Sequence, residues 1–530
     1  MTALDEIKKI LNVTATENGD TAFRSSGAAC LDFFSLCGGM RQNQGDLEKL
    51  FVRAYGENPA LAVKILFYMR DIRGGLGERM SFRKLLCHLA DVYPETARKV
   101  LYAVSKYGRW DDLLCLLDTR LKDDAVAVIK AQLEKDRAAL VRSHAASEPA
   151  EGDGSSGGGD VASGISLLGK WLPSINASSK ATVHAAKILM GALGMNAAEY
   201  RRLCSALRKE IQIIEDYLRR KDYSFDYSKQ PSQAMFRYKK AFLRNDQERY
   251  SAFLKKVVEQ TALATSGVAV PEEEKVKLNA GTLYPYQIVA PYMNDRWNRV
   301  SEVSEEEELA LEASWKSLKR DMVKGRTIVV RDGSGSMYSN CGRGVSPISV
   351  ATSLAMFFSE QLEGAYRNSF ITFSGRPQLV QIPETADTLR KKLDFIYQFD
   401  EVANTDIGKV YQLILDVAKA GNVPKEEMIE RVLIISDMEF DYCAEGSSSF
   451  DVYRKKFAKA GYELPEIVFW NVAARDVHLP VTMNTVGVKL VSGASANIFT
   501  DVVSGDLKVM TPYEFMLKIL APYAEFDKVA

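Results

Sequence analysis

Two hydrophobic periods divide the chain. Up to about residue 322 the apolar positions recur at helical spacing. In "NPALAVKILFYMRDIRGG" Leu61, Ile65, Leu66 and Met69 fall on one face, and Gly74 and Gly75 then stop the helix. "SFRKLLCHLADVYPETARKVLYAVSKYGRWDDLLCLLD" continues as short amphipathic helices punctuated by Pro94 and Gly108. Successive helices without intervening strands predict a helical-repeat body. The pattern breaks at "HAASEPAEGDGSSGGGDVASG", residues 144–164, a Gly/Ser/Ala-rich stretch without aromatics that reads as a flexible insertion. It resumes near Ile165, with interruptions at "DYSFDYSKQPSQ" and "NAGTLYPYQ". "SEEEEL" at 304–309 reads as a solvated helix start, where acidic side chains suit the helix dipole.

After Lys324 the period shortens. "TIVVRD", "NSFITFS", "RVLIISD", "EIVFWNVA" and "VKLVSG" are short β-rich runs, separated by helical segments such as "ISVATSLAMFFSEQLEG" and "DIGKVYQLILDVAKA". Strands alternating with helices predict a parallel, doubly wound sheet. The expected fold class is therefore multidomain, α plus α/β: an α-helical body over 1–323 and a doubly wound α/β domain over 324–530.

Composition narrows the function classes. The 530 residues carry 69 basic and 69 acidic side chains, so the chain is not a globally basic nucleic-acid binder, although a local basic patch is compatible. Seven scattered cysteines form no CxxC pair, which gives neither a zinc site nor a disulfide framework. With neither a signal-like start nor a run of about 18 apolar residues, a reducing, cytoplasmic address is expected, with no membrane partner.

The chemistry concentrates on strand ends. In "TIVVRDGSGSMYSN" Asp332, Ser334 and Ser336 place three oxygens at alternate positions where the first strand ends. Mg²⁺ requires about six oxygens, so one loop cannot complete its shell. "NTDIG" adds Thr405 and Asp406 at a helix start, and "IISDMEFD" ends its strand at Asp437. Taken singly, Thr405 reads as an N-cap and Asp437 as a turn. Together, on the carboxyl ends of strands in one α/β sheet, they point to a divalent-cation site. An enzyme fits less well. Ser334 does not stand in GxSxG, and His478, the one histidine of this domain, reads as a surface-loop residue. "GGLGER" lacks the Lys and Ser/Thr of a phosphate-gripping loop, so no small-molecule substrate is expected.

Asp332-x-Ser334-x-Ser336, Thr405 and Asp437 resemble the metal-ion-dependent adhesion site of von Willebrand factor A domains. The likeness covers about 325–505. It implies Mg²⁺, or another divalent ion such as Mn²⁺ or Ca²⁺, with an open position for an acidic group from a partner. Gly333 stands where that family has a larger residue, and "SDM" replaces the commoner "TDG". "YMRDIRGGLGER", "KWLPS", "YRRLCSALRKEIQIIEDYL", "DYSKQPSQAM" and "NAGTLYP" resemble the family numbered 2828 among domains of unknown function, as do "IISDMEFD" and "VFWNV". That family is similar in layout to the Ro autoantigen (TROVE) proteins, in which a HEAT-like helical ring is closed by a von Willebrand A domain. The resemblance implies a ribonucleoprotein role, with small structured or single-stranded RNA as partner.

Local charge bears on this implication. Residues 201–244 hold twelve Lys and Arg against five Asp and Glu, with Tyr223, Tyr227, Phe236 and Tyr238 interleaved. Cations neutralise phosphates and aromatic faces stack unpaired bases. Arg219, Arg220, Lys221, Arg237, Lys239 and Lys240 are the candidate RNA contacts. The same pattern also fits an ordinary basic helix face over core aromatics. The expected function is non-catalytic RNA binding. The alternative is a scaffold whose metal captures a carboxylate of a protein partner.

Overall fold

The computed structural model describes residues 10–145, 164–293, 300–323, 325–339, 345–374, 376–399, 405–441, 449–503 and 510–529. The insertion expected at 144–164 lies, but for its ends, outside the described residues. The chain forms two compact units, one comprising residues 1–69, 73–78 and 283–528 and the other 70–72, 79–282 and 529–530. The division does not follow the sequence boundary expected at 323/324, because the first 69 residues and those from 283 onward pack with the sheet.

The first unit is built on six strands. They are β3 (Thr327–Asp332), β4 (Ser369–Phe373), β5 (Leu379–Gln381), β6 (Arg431–Ser436), β7 (Glu466–Asn471) and β8 (Val488–Ser492), ordered β5-β4-β3-β6-β7-β8. β4, β3, β6, β7 and β8 run parallel, and β5 is an antiparallel edge. The sheet is therefore mixed, not all-parallel as its pattern suggested. β5 is three residues long with alternating exposure, too short to register as a period. Every residue of β3, β4, β6 and β8 is buried. Successive side chains point to opposite faces, so both faces of the sheet are covered. The helix Pro347–Ser359, buried along its whole length, packs on β3, β4 and β6.

A short hairpin, β1 (Val13–Ala15) with β2 (Thr21–Phe23), stands in a region whose pattern reads as helical throughout. Tertiary contacts hold it in place. Phe23 and Leu479 exchange both backbone bonds at 2.9 Å, and Thr16 Oγ1 donates to the Phe440 carbonyl at 2.5 Å. The following helix, Ala29–Leu36, packs on β8. At its end the Gly38 N–H donates to Ser492 Oγ at 3.0 Å. A Cβ on Gly38 would lie 2.7 Å from the Ser492 backbone, so this approach requires glycine.

The second unit is helical, with Arg79–Val92 and Pro94–Tyr107 packed together and Lys122–Ala145 following. Asp112, fully buried, accepts from Arg70 and Arg83, and the Arg109 guanidinium stacks on Trp171. Leaving one buried partner of such a cluster unpaired is costly, so these charged residues serve the core. A second core gathers Phe225, Tyr227, Phe242, Tyr250 and Phe253.

Candidate metal centre

The strand order reverses between β3 and β6, because β3 leads outward to β4 while the chain crosses back to place β6 on the other side. Ligands of open α/β sheets bind outside the carboxyl ends of strands at such a switch point. Asp332 ends β3 and Asp437 follows β6, so both aspartates stand there.

The Asp332 carboxylate is fully buried. It accepts from the Ser334 N–H at 2.8 Å and from Ser436 Oγ at 2.5 Å. Burial first, and the neighbouring Asp437 charge next, push its carboxyl up to about 7. Ser334 Oγ and Ser336 Oγ lie 3.0 Å apart, which brings these hydroxyls together. Asp437, also buried, accepts from Arg475 at 3.0 Å. Thr405 is not the N-cap of its helix. Asp406 caps Ile407–Ala420, and the Thr405 hydroxyl donates to the Glu439 carbonyl at 2.7 Å. Thr405 is thereby tied to the loop that carries Asp437.

That loop is strained. Met438 sits at φ +67, a left-handed conformation uncommon outside glycine, and it occupies the position where the resembled pattern "TDG" has glycine. Its N–H donates to Ser436 Oγ at 3.0 Å, and its side chain is buried.

The β1–β2 turn supplies residues that periodicity did not reveal. Asn18 donates to the Glu439 carbonyl at 2.7 Å and to Thr405 Oγ1 at 3.3 Å, and the Glu17 N–H donates to Glu439 Oε2 at 2.9 Å. His478 is buried, not a surface-loop residue, and its Nε2 lies 3.5 Å from Glu439 Oε1. Burial lowers its pKa, so its ring is neutral at pH 7. Glu439 is likewise buried, and burial above all pushes its carboxyl up to about 7. In sequence, only the acidic run "DMEFD" hinted at Glu439.

The basic segment of the second unit is divided in its placement. Arg219, Arg220, Lys221, Arg237 and Lys240 are exposed. Arg219 and Arg220 both pair with Asp216. Lys239 is nine-tenths buried, with Nζ 4.3 Å above the Phe236 ring, because its register falls on the packed face of Ser232–Asn245. Tyr227 belongs to the aromatic core, and Tyr223, Phe236 and Tyr238 are half-buried. An open cavity of about 330 Å³ is lined by Arg201, Arg208 and Arg219 together with Glu215 and Asp216.

Residues 326–511, which contain the sheet and its aspartates, match a domain of unknown function, DUF7788. Residues 16–151 and 195–327, just over half of the chain, match the domain of unknown function DUF2828, and the chain belongs to that family. The "IISDMEFD" and "VFWNV" motifs thus fall in the DUF7788 stretch, and "KWLPS" lies between the two DUF2828 stretches. The chain is similar to "Uncharacterized protein L728" of Acanthamoeba polyphaga mimivirus, 29% identical over 97% of this chain and 88% of that protein. It is also similar to the crystal structure of the Deinococcus radiodurans Ro (RSR) protein. That match has 15% identity and a TM-score of 0.39, and it covers 90% of this chain and 99% of the other.

Proposed function

We propose that this chain is a non-catalytic binding protein whose sheet unit holds a divalent cation and whose helical unit binds RNA. The observation that carries the cation reading is the buried pair Asp332 and Asp437, set beside paired serine hydroxyls at the switch point. Two carboxylates out of water repel one another, and a hard cation among oxygen donors relieves that repulsion. The donors fit Mg²⁺, Mn²⁺ or Ca²⁺, since all are oxygens. Asp332, Ser334, Ser336, Thr405 and Asp437 would hold the ion, in the manner of a von Willebrand A adhesion site. When bound, the cation offers a coordination position to an acidic group. The protein's own part is to bury the carboxylates, orient Asp332 through Ser436, and tie Thr405 to the Asp437 loop. Catalysis is not part of the proposal; the Ser334 and Ser336 hydroxyls pair with each other.

RNA is the proposed ligand of the helical unit, read there as a HEAT-like, TROVE-like body. Five exposed cations along one segment support it, whereas Tyr227 is core and Tyr223, Phe236 and Tyr238 are half-buried, which gives little support to base stacking. Binding would therefore be to phosphates, sequence-tolerant and salt-sensitive. The Asp216 pairs of Arg219 and Arg220 favour a second reading, a scaffold whose cation takes a carboxylate from a protein partner. A salt series with unrelated single-stranded RNAs separates the two. Charge reversal at Lys221, Arg237 and Lys240 should weaken all the RNAs alike and flatten the log–log salt slope by roughly two units, about 0.7 for each phosphate of a single strand no longer neutralised. If the variant binds RNA like the wild type, with an unchanged slope, the segment is a solvated face and the scaffold reading replaces RNA.

A further inference from the structure

Glu439, Asp476 and His478 each offer one ligand atom, and these three atoms lie within 4.8 Å of one another. We propose that this cluster is a second metal site, distinct from the oxygen site at Asp332, and that it takes a borderline divalent transition ion of the zinc class.

The donor set separates the two sites. Mg²⁺ and Ca²⁺ take oxygen, whereas imidazole with carboxylates suits zinc, cobalt or ferrous iron. The spacing points the same way. His478 Nε2 and Glu439 Oε1 stand 3.5 Å apart, longer than a hydrogen bond. Two ligands of one tetrahedral zinc, each about 2.0–2.1 Å from the ion, lie roughly 3.3 Å apart. The pair is thus spaced as co-ligands.

The surroundings fix both groups from behind. Glu439 Oε2 accepts from the Glu17 N–H at 2.9 Å, which leaves Oε1 toward the cluster. The His478 ring also hydrogen-bonds the Met438 backbone, an arrangement that orients metal-ligating histidines. The segment bearing Asp476 and His478 is pinned on both sides, by Ala474 N–H to the Gly39 carbonyl at 3.1 Å and by the two backbone hydrogen bonds that Leu479 and Phe23 exchange. Asp476 is exposed and completes the open side. The negative charges of Glu17 and Asp437 reach the same point, against the Arg475 guanidinium.

Co²⁺ is a suitable probe because its visible d–d absorption reports coordination directly. The full chain, in excess Mg²⁺ to fill the oxygen site, should bind one equivalent of Co²⁺. Affinity should fall roughly tenfold or more in His478→Ala and in Asp476→Asn. Asp476 is exposed, so its variant should fold even where His478→Ala does not. Asp332→Ala should keep the Co²⁺ spectrum, which separates this site from the proposed Mg²⁺ site. Unchanged Co²⁺ affinity in Asp476→Asn and His478→Ala would overturn the proposal. So would loss of the spectrum in Asp332→Ala alone, or a near-ultraviolet thiolate charge-transfer band showing cysteine ligation.

Discussion

At Met438 a single backbone angle carries the geometry of the metal loop. A non-glycine residue in the left-handed region costs about 1–2 kcal/mol, and here the burial of a large side chain offsets that strain. Both truncations, to alanine and to glycine, lose the burial, but only alanine keeps the strain. Met438→Gly should therefore be more stable than Met438→Ala by about 1 kcal/mol in urea unfolding, the reverse of the usual order within helices. Equal stabilities, or a more stable alanine variant, would show that the loop relaxes out of this conformation. The same residue marks how far sequence reading reached. The strand-end positions of Asp332 and Asp437 were legible because β-rich runs ended on them. The positive φ at Met438 and the burial of His478 were not legible, since both depend on contacts distant in the chain. His478 packs near Glu439, which precedes it by 39 residues, and no local pattern encodes such a pairing.

Among elements, periodicity located the five strands with full β-rich runs and most of the helices. Ser304 accepts from the Glu307 N–H at the start of Glu305–Lys316, as the acidic run there implied. β1, β2 and β5 escaped because each is three residues long, too short to establish a period. One buried carboxylate ties together side chains from three segments of the sheet unit. Glu360, at the end of Pro347–Ser359, accepts from Trp315 Nε1 at 3.2 Å, Arg320 at 2.9 Å and Lys392 at 2.5 Å. Burial pushes its carboxyl up, but Lys392 and Arg320 outweigh burial and hold it below its ordinary 4.5. A depressed carboxylate contributes stability above its unfolded pKa and loses it as pH falls through the folded value. Chemical denaturation across pH 3–7 should show a loss of stability below about pH 4.5 that is smaller in Glu360→Gln. Parallel curves for variant and wild type would remove Glu360 from that role.

At the scale of the whole molecule, family boundaries and compact units do not coincide. The two family matches meet at residues 326–327, yet Glu17 and Asn18 from the first match contact the loop that bears Asp437 in the second. The proposed oxygen site therefore draws its support from both ends of the chain, and the residues from 326 onward would lack the β1–β2 turn. No helix among the described residues is long and apolar enough to cross a membrane. The cation is the central claim, and calorimetric titration of the full chain with Mg²⁺ tests it most directly. Wild type should bind one ion. Asp332→Ala should bind at least roughly tenfold more weakly, since only Asp437 then adds charge to the neutral hydroxyls. Asp476→Asn, outside the oxygen site, should titrate as wild type. Equal Mg²⁺ affinity in wild type and Asp332→Ala would contradict the account.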